Sequence, residues 1–489
     1  MPNLSSTGRS AAGEHRYLRS MPAAAEKIVR YTVSLAFAGL TVFLGYFAKR
    51  TDFVPFITAY GTAFGLYVWL IFFQKNKSQA EIRWYVGLGI ALRVLLLFSL
   101  PNFSDDFYRF LWDGHLTVAG VHPFAHPPAY FIENQIFPEG ATLELFGKLN
   151  SPEYFTVYPP VCQAVFALAA WLNPTSVWGG VAVMKLFLLA CEIGTIRLLG
   201  SGLTFGKLSP AVLYALNPLI ILEITGNCHF EGTMIFFLLL GFRDLKQNKV
   251  KRAAVWWALA TASKLLPLMF LPIVWRWLGW RKGLVFNAVF AGVSLVLFAP
   301  LLSVLPNILL SLDLYFRQFQ FNASVYYLLG GIGFWIKGYD IGESLGPLLG
   351  VLTVVGVLVI AWFNPTPDPS PTGRGDVEYT AFRSSLYSTS PLPVGEGSGV
   401  GLNHAILFAL LLQLSLSATV HPWYITVPFA MGLLTRWRFP IVWSGLVALS
   451  YSHYTGGLFQ ENYWLIALEY SVLWLFIFRE YSQSRISNR

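Results

Sequence analysis

The stretch "WYVGLGIALRVLLLFSLPNFSDDFYRFLWDG", residues 84–114, joins an apolar run to a cluster of charges. Residues 84–100 are almost entirely apolar, which is typical of a helix that crosses a membrane. The chain then carries Asp105 and Asp106 side by side, with Arg109 one helical turn later. Neighbouring like charges repel each other, and more strongly in the low dielectric near a membrane. Their position at this boundary therefore points to a structural or functional requirement.

The composition is that of a polytopic membrane protein. Of the 489 residues, 55% are apolar and only 12% are charged, whereas soluble proteins carry about 25% charged residues. Three dispersed cysteines indicate neither a disulfide framework nor a zinc site. Apolar runs of spanning length are found near residues 29–47, 54–73, 84–100, 178–199, 209–225, 283–303, 344–363, 404–420 and 462–478. The sequence therefore predicts an all-α fold.

Further apolar pieces bring the expected number of membrane segments to about 12–14. Two half-length pieces, 253–263 and 265–275, meet at Lys264, and Pro267 follows, which predicts a break and a short hairpin. The segment 156–172 has two interpretations, a full span or a helix half-inserted at the outer face. Only the half-inserted helix leaves the basic loop after residue 243 on the cytoplasmic side of the membrane.

Most of the 34 Lys and Arg residues then fall on the cytoplasmic side, as the positive-inside rule requires. This bias predicts that both termini are cytoplasmic. It also accounts for the formal net charge of +9 without a nucleic-acid partner. Two long loops, 101–177 and 304–343, are predicted to be external and to carry juxtamembrane helices.

Four regions are expected along the chain. Residues 1–27 form a cytoplasmic tail without a signal peptide, and 28–363 form a transmembrane catalytic module. Residues 364–403 are rich in Pro, Gly and Ser without periodicity, which predicts a disordered cytoplasmic insert. Residues 404–489 supply the last transmembrane segments and a short basic tail.

The unusual polar residues lie in the predicted external loops, and ionisable groups at membrane depth are functional candidates. One interpretation of Asp105 and Asp106 is structural: a helix capped by Ser104 favours carboxylates in its first turn. The other is that one carboxylate is a general base for an incoming hydroxyl. Arg109 and Asp113 are spaced four residues apart, on the same helix face.

Other external residues also have two interpretations. Lys264 is either a snorkelling lysine or a phosphate contact. The segment 311–324, which contains Arg317 among aromatic residues, is either an interfacial amphipathic helix or a phosphate site. Trp423 and Tyr424 in "HPWY" fit an aromatic belt, which leaves the preceding histidine as the functional candidate.

Several strings resemble those of one family. "SDDFYRFLWDG", followed by "GVHPF", resembles the first external loop of bacterial glycosyltransferases of the GT-C superfamily, many of them mannosyltransferases. These enzymes use sugars carried on polyprenyl phosphate. "VYPPVCQAVF", "NPLIILEITGNCHFEG", "TASKLLPLMFLP" and "HPWY" resemble later motifs in the same order, from about residue 84 to 435. His122 replaces an asparagine of the family, and 228–231 depart from its usual Gly-His-Asn/Asp.

The resemblance implies a GT-C-type fold and an inverting transfer of a hexose, mannose first, to an acceptor at the external face. The catalytic base implied is Asp106, with Asp105 second. The substrate-binding residues expected are Arg109, Asp113, Tyr158, His229, Glu231, Lys264, Tyr315, Arg317, Asn322 and His421. No metal or other cofactor is implied for a monophosphate donor.

The expected partners are a lipid-linked sugar donor and a glycan, lipid or protein acceptor. The expected location is the bacterial inner membrane. Two other classes of function stay open. A transporter of lipid-linked glycans would have polar residues near the membrane midplane and inverted repeats, and a polysaccharide polymerase or ligase would share the large external loops.

Overall fold

The computed structural model describes residues 23–73, 78–201, 209–363, 401–457 and 459–486, without the side chains of 23–24, 72–73, 312–318 and 484–486. The first 22 residues of the predicted tail and residues 364–400 of the predicted insert lie outside this description. In the described ranges the chain is helical, and the only β-type pairing is an isolated bridge between Phe321 and Thr419. The predicted all-α class is therefore confirmed.

The first half of the chain contains helices α1 (Ala23–Tyr46), α2 (Phe53–Phe73), α3 (Gln79–Leu96), α4 (Asp106–Val118), α5 (Pro128–Glu133), α6 (Leu143–Phe146), α7 (Pro160–Leu172), α8 (Val177–Gly200), α9 (Pro210–Leu216) and α10 (Pro218–Ile220). The second half contains α11 (Glu231–Lys246), α12 (Val250–Thr261), α13 (Leu271–Phe298), α14 (Leu305–Gln318), α15 (Val325–Lys337), α16 (Gly342–Phe363), α17 (Leu402–Leu416), α18 (Thr426–Gly432), α19 (Phe439–Leu446) and α20 (Tyr463–Ile486). A π-helix (Ile221–Gly226) and 3₁₀ turns connect some of them, the turns being Leu266–Phe270, Ala299–Val304, Pro422–Ile425 and Val447–Gly457.

Several described segments have the length and apolarity of membrane spans. Four of them qualify outright: Ala25–Tyr46, Phe53–Ile71, Leu266–Ser311 and Gly342–Phe363. Helices α7 and α17 are apolar but shorter. The 13 residues of α7 extend about 20 Å, less than the roughly 30 Å of a bilayer core. This length favours the half-inserted interpretation of 156–172 over a full span.

The uninterrupted span predicted for 209–225 is wrong. Helix α9 ends at Leu216, and the Asn217 side chain caps a new turn by accepting from the Ile220 backbone N–H at 3.2 Å. Proline at 218 removes a backbone donor and weakens a continuous helix at this point, and the cap by Asn217 makes the interruption. The break predicted around Lys264 is confirmed, because α12 ends at Thr261 and the next turn starts at Leu266.

Three charged side chains buried within the predicted spans have ionic or hydrogen-bond partners, which offset the cost of burying them. Arg93 of α3 and Glu192 of α8 are both fully buried and lie 2.8 Å apart. Arg93 also donates to the backbone carbonyl of Ala215 in α9 at 2.6 Å. Lys185 donates to the Leu96 carbonyl at the end of α3, at 2.9 Å. These contacts fix α3, α8 and α9 together just before the chain enters the loop with the paired aspartates.

Removing Glu192 is expected to destabilise the protein strongly. Glu192→Ala leaves the Arg93 guanidinium buried without its carboxylate, a change that costs about 3–5 kcal/mol in comparable buried pairs. Thermal unfolding in detergent, followed by intrinsic fluorescence, measures the loss. Glu133→Ala at an exposed position of α5 is the matched control and should be near neutral. Equal unfolding temperatures for the two variants would contradict the role of the pair.

Candidate active site

The two neighbouring aspartates have different partners. The carboxylate of Asp106 accepts hydrogen bonds from the Tyr158 hydroxyl at 3.2 Å and from the Asn150 side-chain amide at 3.0 Å. The carboxylate of Asp105 forms an ion pair with Arg50. One aspartate is therefore neutralised by a cation, while the other is held only by neutral donors.

Helix α4 begins differently from the sequence-based prediction. Asp105, not Ser104, is the residue at its N-cap, and Asp106 is its first residue. The Ser104 hydroxyl instead accepts a hydrogen bond from the Asp106 backbone N–H at 3.3 Å. The helix ends at Val118 because Gly120 follows with a φ of +76°, which favours glycine and cannot continue a right-handed helix.

Arg50 is a member of the site that sequence reasoning missed. It lies in the short connection between α1 and α2, and its guanidinium carbon is 4.9 Å from the centre of the Tyr454 ring. The backbone N–H of Gly456 also donates to the Thr51 carbonyl at 3.1 Å. These contacts tie the connection to the segment before α20, and they place Arg50 beside Asp105. The only sequence feature that could have indicated Arg50 is its predicted external position, where few basic residues lie.

Arg109 and Asp113 are placed together, as their spacing predicted, but they are buried. Their side chains lie 2.8 Å apart, and Arg109 donates to the Tyr154 carbonyl at 2.9 Å. Asp113 also accepts from Thr156 and from the Gln163 amide, the latter at 3.0 Å. The pair braces the loop that enters the site against α4, so its assignment to substrate binding stays a prediction.

Tyr158 lies between a carboxylate and a cation. Its hydroxyl donates to Asp106, and the Lys264 ammonium is 5.5 Å from the centre of its ring. Lys264 is 25% exposed and pairs with Glu231 at 3.0 Å. Burial alone would lower the pKa of Lys264, but the Glu231 carboxylate outweighs it, so the pKa is raised overall. Lys264 therefore remains charged at neutral pH.

The turn that carries Lys264 is fixed to the start of α7. The Val161 backbone N–H donates to the Ala262 carbonyl at 2.9 Å. The buried Cys162 thiol donates to the Ser263 carbonyl at 3.1 Å. Both carbonyls belong to the break after α12, where they have lost their helical partners. The proline-rich break therefore presents the lysine at a fixed position.

Three histidines and two aromatic residues form a column of rings. The Trp423 indole lies between two imidazoles, with His229 at 3.9 Å and His421 at 4.3 Å between ring centres. Phe321 continues the column, 4.6 Å from His421 and 5.0 Å from His453. Trp423 is only 8% exposed, so its interpretation as a residue of an interfacial aromatic belt is wrong.

An irregular segment positions the first ring of this column. Glu223 lies in the π-helix Ile221–Gly226, a geometry found frequently at functional sites. Its carboxylate accepts from the Tyr451 hydroxyl at 2.6 Å and lies 3.2 Å from Nδ1 of His229. Cys228 has a φ of +65°, which is uncommon for a residue with a side chain. The turn therefore holds the imidazole of His229 in a defined orientation.

The electrostatics of His421 connect the ring column with the carboxylate and the lysine. Burial lowers the pKa of His421 to about 3, against the opposing effect of Asp106. The charge of Lys264 lowers it further. The imidazole of His421 is therefore neutral at physiological pH, and it lies within electrostatic range of Asp106 and Lys264.

For three of the residues expected at the site, the described part of the structure shows no contact with Asp106, Tyr158 or Lys264. Asn322 is fully buried, where its side-chain amide donates to Glu469 at 3.3 Å and its backbone N–H to Glu461 at 3.0 Å. The side chains of Tyr315 and Arg317 on α14 lie outside the described residues. A role for these three in substrate binding stays a prediction.

The described part of the chain was predicted to need no metal ion for the reaction. No group of three or more His, Cys, Asp or Glu side chains there is arranged to hold a metal ion. His229 and Glu231 of one turn, which are the nearest to such a set in sequence, are engaged with Glu223 and Lys264 respectively. A reaction without a metal or other cofactor stays a prediction.

Two curated relatives resemble this chain in part. The alpha-(1->6)-mannopyranosyltransferase B of Corynebacterium glutamicum is 25% identical over 149 residues, which is 30% of this chain and 24% of the relative. The alpha-(1->6)-mannopyranosyltransferase A of Mycobacterium tuberculosis is 27% identical over 226 residues, which is 43% of this chain and 41% of the relative. The matched part is thus less than half of either relative. No solved structure matches the chain.

A family model decides the classification. It is described as alpha-(1->6)-mannopyranosyltransferase, N-terminal domain, and it matches residues 28–279. This range includes Arg50, the paired aspartates, Tyr158 and Lys264, while the ring column extends beyond it. Because the match covers slightly more than half of the chain, the protein belongs to the alpha-(1->6)-mannopyranosyltransferase N-terminal domain family.

Proposed function

We propose that this protein is an integral-membrane glycosyltransferase. It would transfer a hexose, mannose first, from a polyprenyl-phosphate carrier to a hydroxyl of a glycan, lipid or protein acceptor, with inversion at the transferred carbon. The family supports the class of enzyme, and the names of both relatives support mannose. The proposed location of the reaction is the external face of a bacterial inner membrane, where the sequence predicts the site loops.

One observation carries the proposal: a carboxylate and an ammonium lie on either side of Tyr158. Asp106 accepts from the hydroxyl of this tyrosine, and Lys264 lies 5.5 Å from its ring. A transfer from a phosphate carrier needs both charges, since a base must take the acceptor proton and a cation must stabilise the departing phosphate.

The chemical step follows from these positions. Asp106 takes the proton of the acceptor hydroxyl as the hydroxyl oxygen forms a bond to the anomeric carbon of the sugar. The bond from that carbon to the phosphate oxygen breaks, and its electron pair leaves with the polyprenyl phosphate. Lys264 stabilises the second negative charge that develops on this phosphate. Attack opposite to the leaving group gives the inverted configuration.

The test is direct transfer by the purified protein in lipid nanodiscs. The donor is radiolabelled polyprenyl-phosphate mannose, and the acceptor probes are methyl α-mannopyranoside and an α-1,6-linked mannobiose. Labelled product with one more mannose supports the proposal. If the donor stays intact while lipid-linked glycan crosses the membrane of sealed vesicles, the protein is a transporter and the proposal is wrong. Chain extension from a lipid-linked oligosaccharide donor, with no use of the monophosphate, would favour the polymerase class.

Arg50 decides which aspartate serves as the base in this proposal. Because it pairs with Asp105, the negative charge of the Asp105 carboxylate is compensated, which makes this carboxylate a weaker base. Asp106 keeps a carboxylate whose partners, Tyr158 and Asn150, are neutral. The arrangement thus supports Asp106 as the base and Asp105 as the ligand of Arg50.

Loss of Arg50 is expected to impair transfer through Asp105. Arg50→Gln leaves two uncompensated neighbouring carboxylates and should lower kcat/KM by about threefold to tenfold, as for a partly exposed ion pair. The double variant Arg50→Gln with Asp105→Asn removes the second charge and should recover most of this loss. Lys49→Gln, at the exposed neighbouring position, is the control and should match the wild type. Additive losses in the double variant would contradict the coupling.

A further inference from the structure

Two deeply buried hydrogen-bond acceptors near the proposed base and cation have no donor among the described residues. They are Nε2 of His229 and Oε2 of Glu231. Their side chains are 2% and 4% exposed. A buried polar atom without a partner is costly, and such atoms in native proteins need an explanation. Both residues belong to the turn that leads from the π-helix into α11, and both lie in contact with residues of the site.

The tautomer of a neutral His229 imidazole follows from its neighbours. Its Nδ1 lies 2.9 Å from the backbone carbonyl oxygen of Glu223 and 3.2 Å from the carboxylate of the same residue. Both neighbours are acceptors, so Nδ1 carries the proton. In a neutral imidazole the other nitrogen is then an acceptor. Nε2 of His229 therefore offers a lone pair that calls for an O–H or N–H donor.

Glu231 offers a second lone pair of the same kind. Its Oε1 is 3.0 Å from the Lys264 ammonium, whereas its Oε2 has no described partner. Nδ1 of His421, on the other side of Trp423, also has no hydrogen-bond partner among the described residues. The three atoms do not suit a metal ion, because no metal-binding group is found in the described part of the chain. They suit a ligand that presents several hydroxyl groups.

The ring column keeps these acceptors in place. Trp423 separates the His229 and His421 rings, with interplanar angles of 21° and 9°. Both faces of its indole are thereby covered, so it cannot stack on a sugar itself. It acts as a spacer that holds two imidazoles parallel, with their nitrogen edges fixed. Locked rotamers of this kind are what hydroxyl recognition requires.

We infer that His229 and Glu231, supported by Trp423, form a subsite that recognises the hydroxyl groups of a hexopyranose. This inference rests on the proposed function, and it specifies which part of the substrate the subsite binds. Each acceptor takes a hydrogen bond from one ring hydroxyl. Both acceptors are covered in the free protein, so binding is expected to move the side chain of Lys264, the partly exposed partner of Glu231. The hexose belongs either to the donor or to the acceptor, and the experiment separates the two.

The experiment combines two His229 variants with deoxy sugars. In His229→Asn the amide nitrogen replaces Nδ1 and keeps the bond to Glu223, but the acceptor at Nε2 is lost. In His229→Gln an amide oxygen replaces Nε2 as the acceptor. Transfer is measured with each monodeoxy mannosyl donor at a fixed acceptor, and with each monodeoxy methyl α-mannopyranoside at a fixed donor.

One deoxy sugar is expected to lose about 10- to 100-fold in kcat/KM with the wild type. The same deoxy sugar should show no such loss with His229→Asn and a similar loss with His229→Gln. Whether it is a donor or an acceptor analogue identifies the source of the hexose. If every deoxy sugar loses as much with His229→Asn as with the wild type, the inference is wrong.

A binding arm keeps this inference separate from the proposed function. Calorimetry in nanodiscs measures the affinity of mannosyl phosphate, methyl α-mannopyranoside and their deoxy analogues for the wild type and both variants. If no mannose is transferred by the wild type, the proposed function fails, and the inference stands only if the deoxy selectivity in binding disappears in His229→Asn. Thermal unfolding of each variant excludes a general loss of the fold.

Discussion

Asp106→Asn is expected to lower kcat for mannosyl transfer by about a thousandfold, within the range that a general base contributes. The amide cannot accept the proton of the acceptor hydroxyl. Its single carbonyl oxygen can still accept from the Asn150 amide, and its NH2 group can donate to the Tyr158 hydroxyl, which are the two groups that hold the carboxylate. The helix start should therefore stay folded. Single-turnover transfer from labelled polyprenyl-phosphate mannose measures the rate, and KM for the donor should change little.

Asp105→Asn is the matched control, because it makes the same chemical change one residue earlier. We expect a loss of about threefold to tenfold at most, since its partner Arg50 is partly exposed and the pair is worth little by itself. Equal losses of kcat in Asp105→Asn and Asp106→Asn would contradict the assignment of Asp106 as the base and Asp105 as the partner of Arg50. A larger loss for Asp105→Asn would make that residue the base.

The fold was largely predictable because lipid restricts what the chain can do. Hydropathy and length located the apolar segments, and Lys264 with Pro267 marked the break after α12. The break at Pro218 was not predicted. Membrane helices tolerate proline when other groups satisfy the freed backbone, so proline alone does not decide between a kink and an interruption. The capping side chain of Asn217 decides it here.

The candidate site was predictable where its residues belong to local motifs. Asp106, Tyr158, Glu231 and Lys264 come from four separate motifs of the sequence, and the structure connects them through contacts of 3.0 to 5.5 Å. Arg50 could not be placed, because its contacts with Tyr454 and Asp105 depend on how segments from opposite ends of the chain pack.

The ring column was unpredictable for a similar reason. A tryptophan near a membrane boundary is far more often an interfacial anchor than a spacer between imidazoles. Trp423 becomes such a spacer only because His229 stacks on one face of its indole and His421 on the other. Phe321 lies in the short segment between α14 and α15. It joins the same column because its backbone N–H donates to the Ala418 carbonyl at 3.0 Å.

Lys264→Met is expected to lower kcat by about a hundredfold, comparable to the removal of one donor from an oxyanion hole. Methionine keeps the length and apolar stem of the side chain but cannot stabilise the charge on the departing phosphate. The variant also leaves the buried carboxylate of Glu231 without its cation, which by itself can disturb the site. Pre-steady-state transfer and thermal unfolding are measured on the same preparation.

The double variant Lys264→Met with Glu231→Gln separates the two effects. It removes the uncompensated carboxylate, so it should restore the unfolding temperature of the wild type while transfer stays about a hundredfold slower. Lys264→Arg retains a cation beside Tyr158 and should keep transfer within about tenfold of the wild type. If transfer recovers together with stability in the double variant, the lysine serves only to neutralise Glu231. The carrier phosphate must then be held by another cation, for which the sequence suggests Arg317.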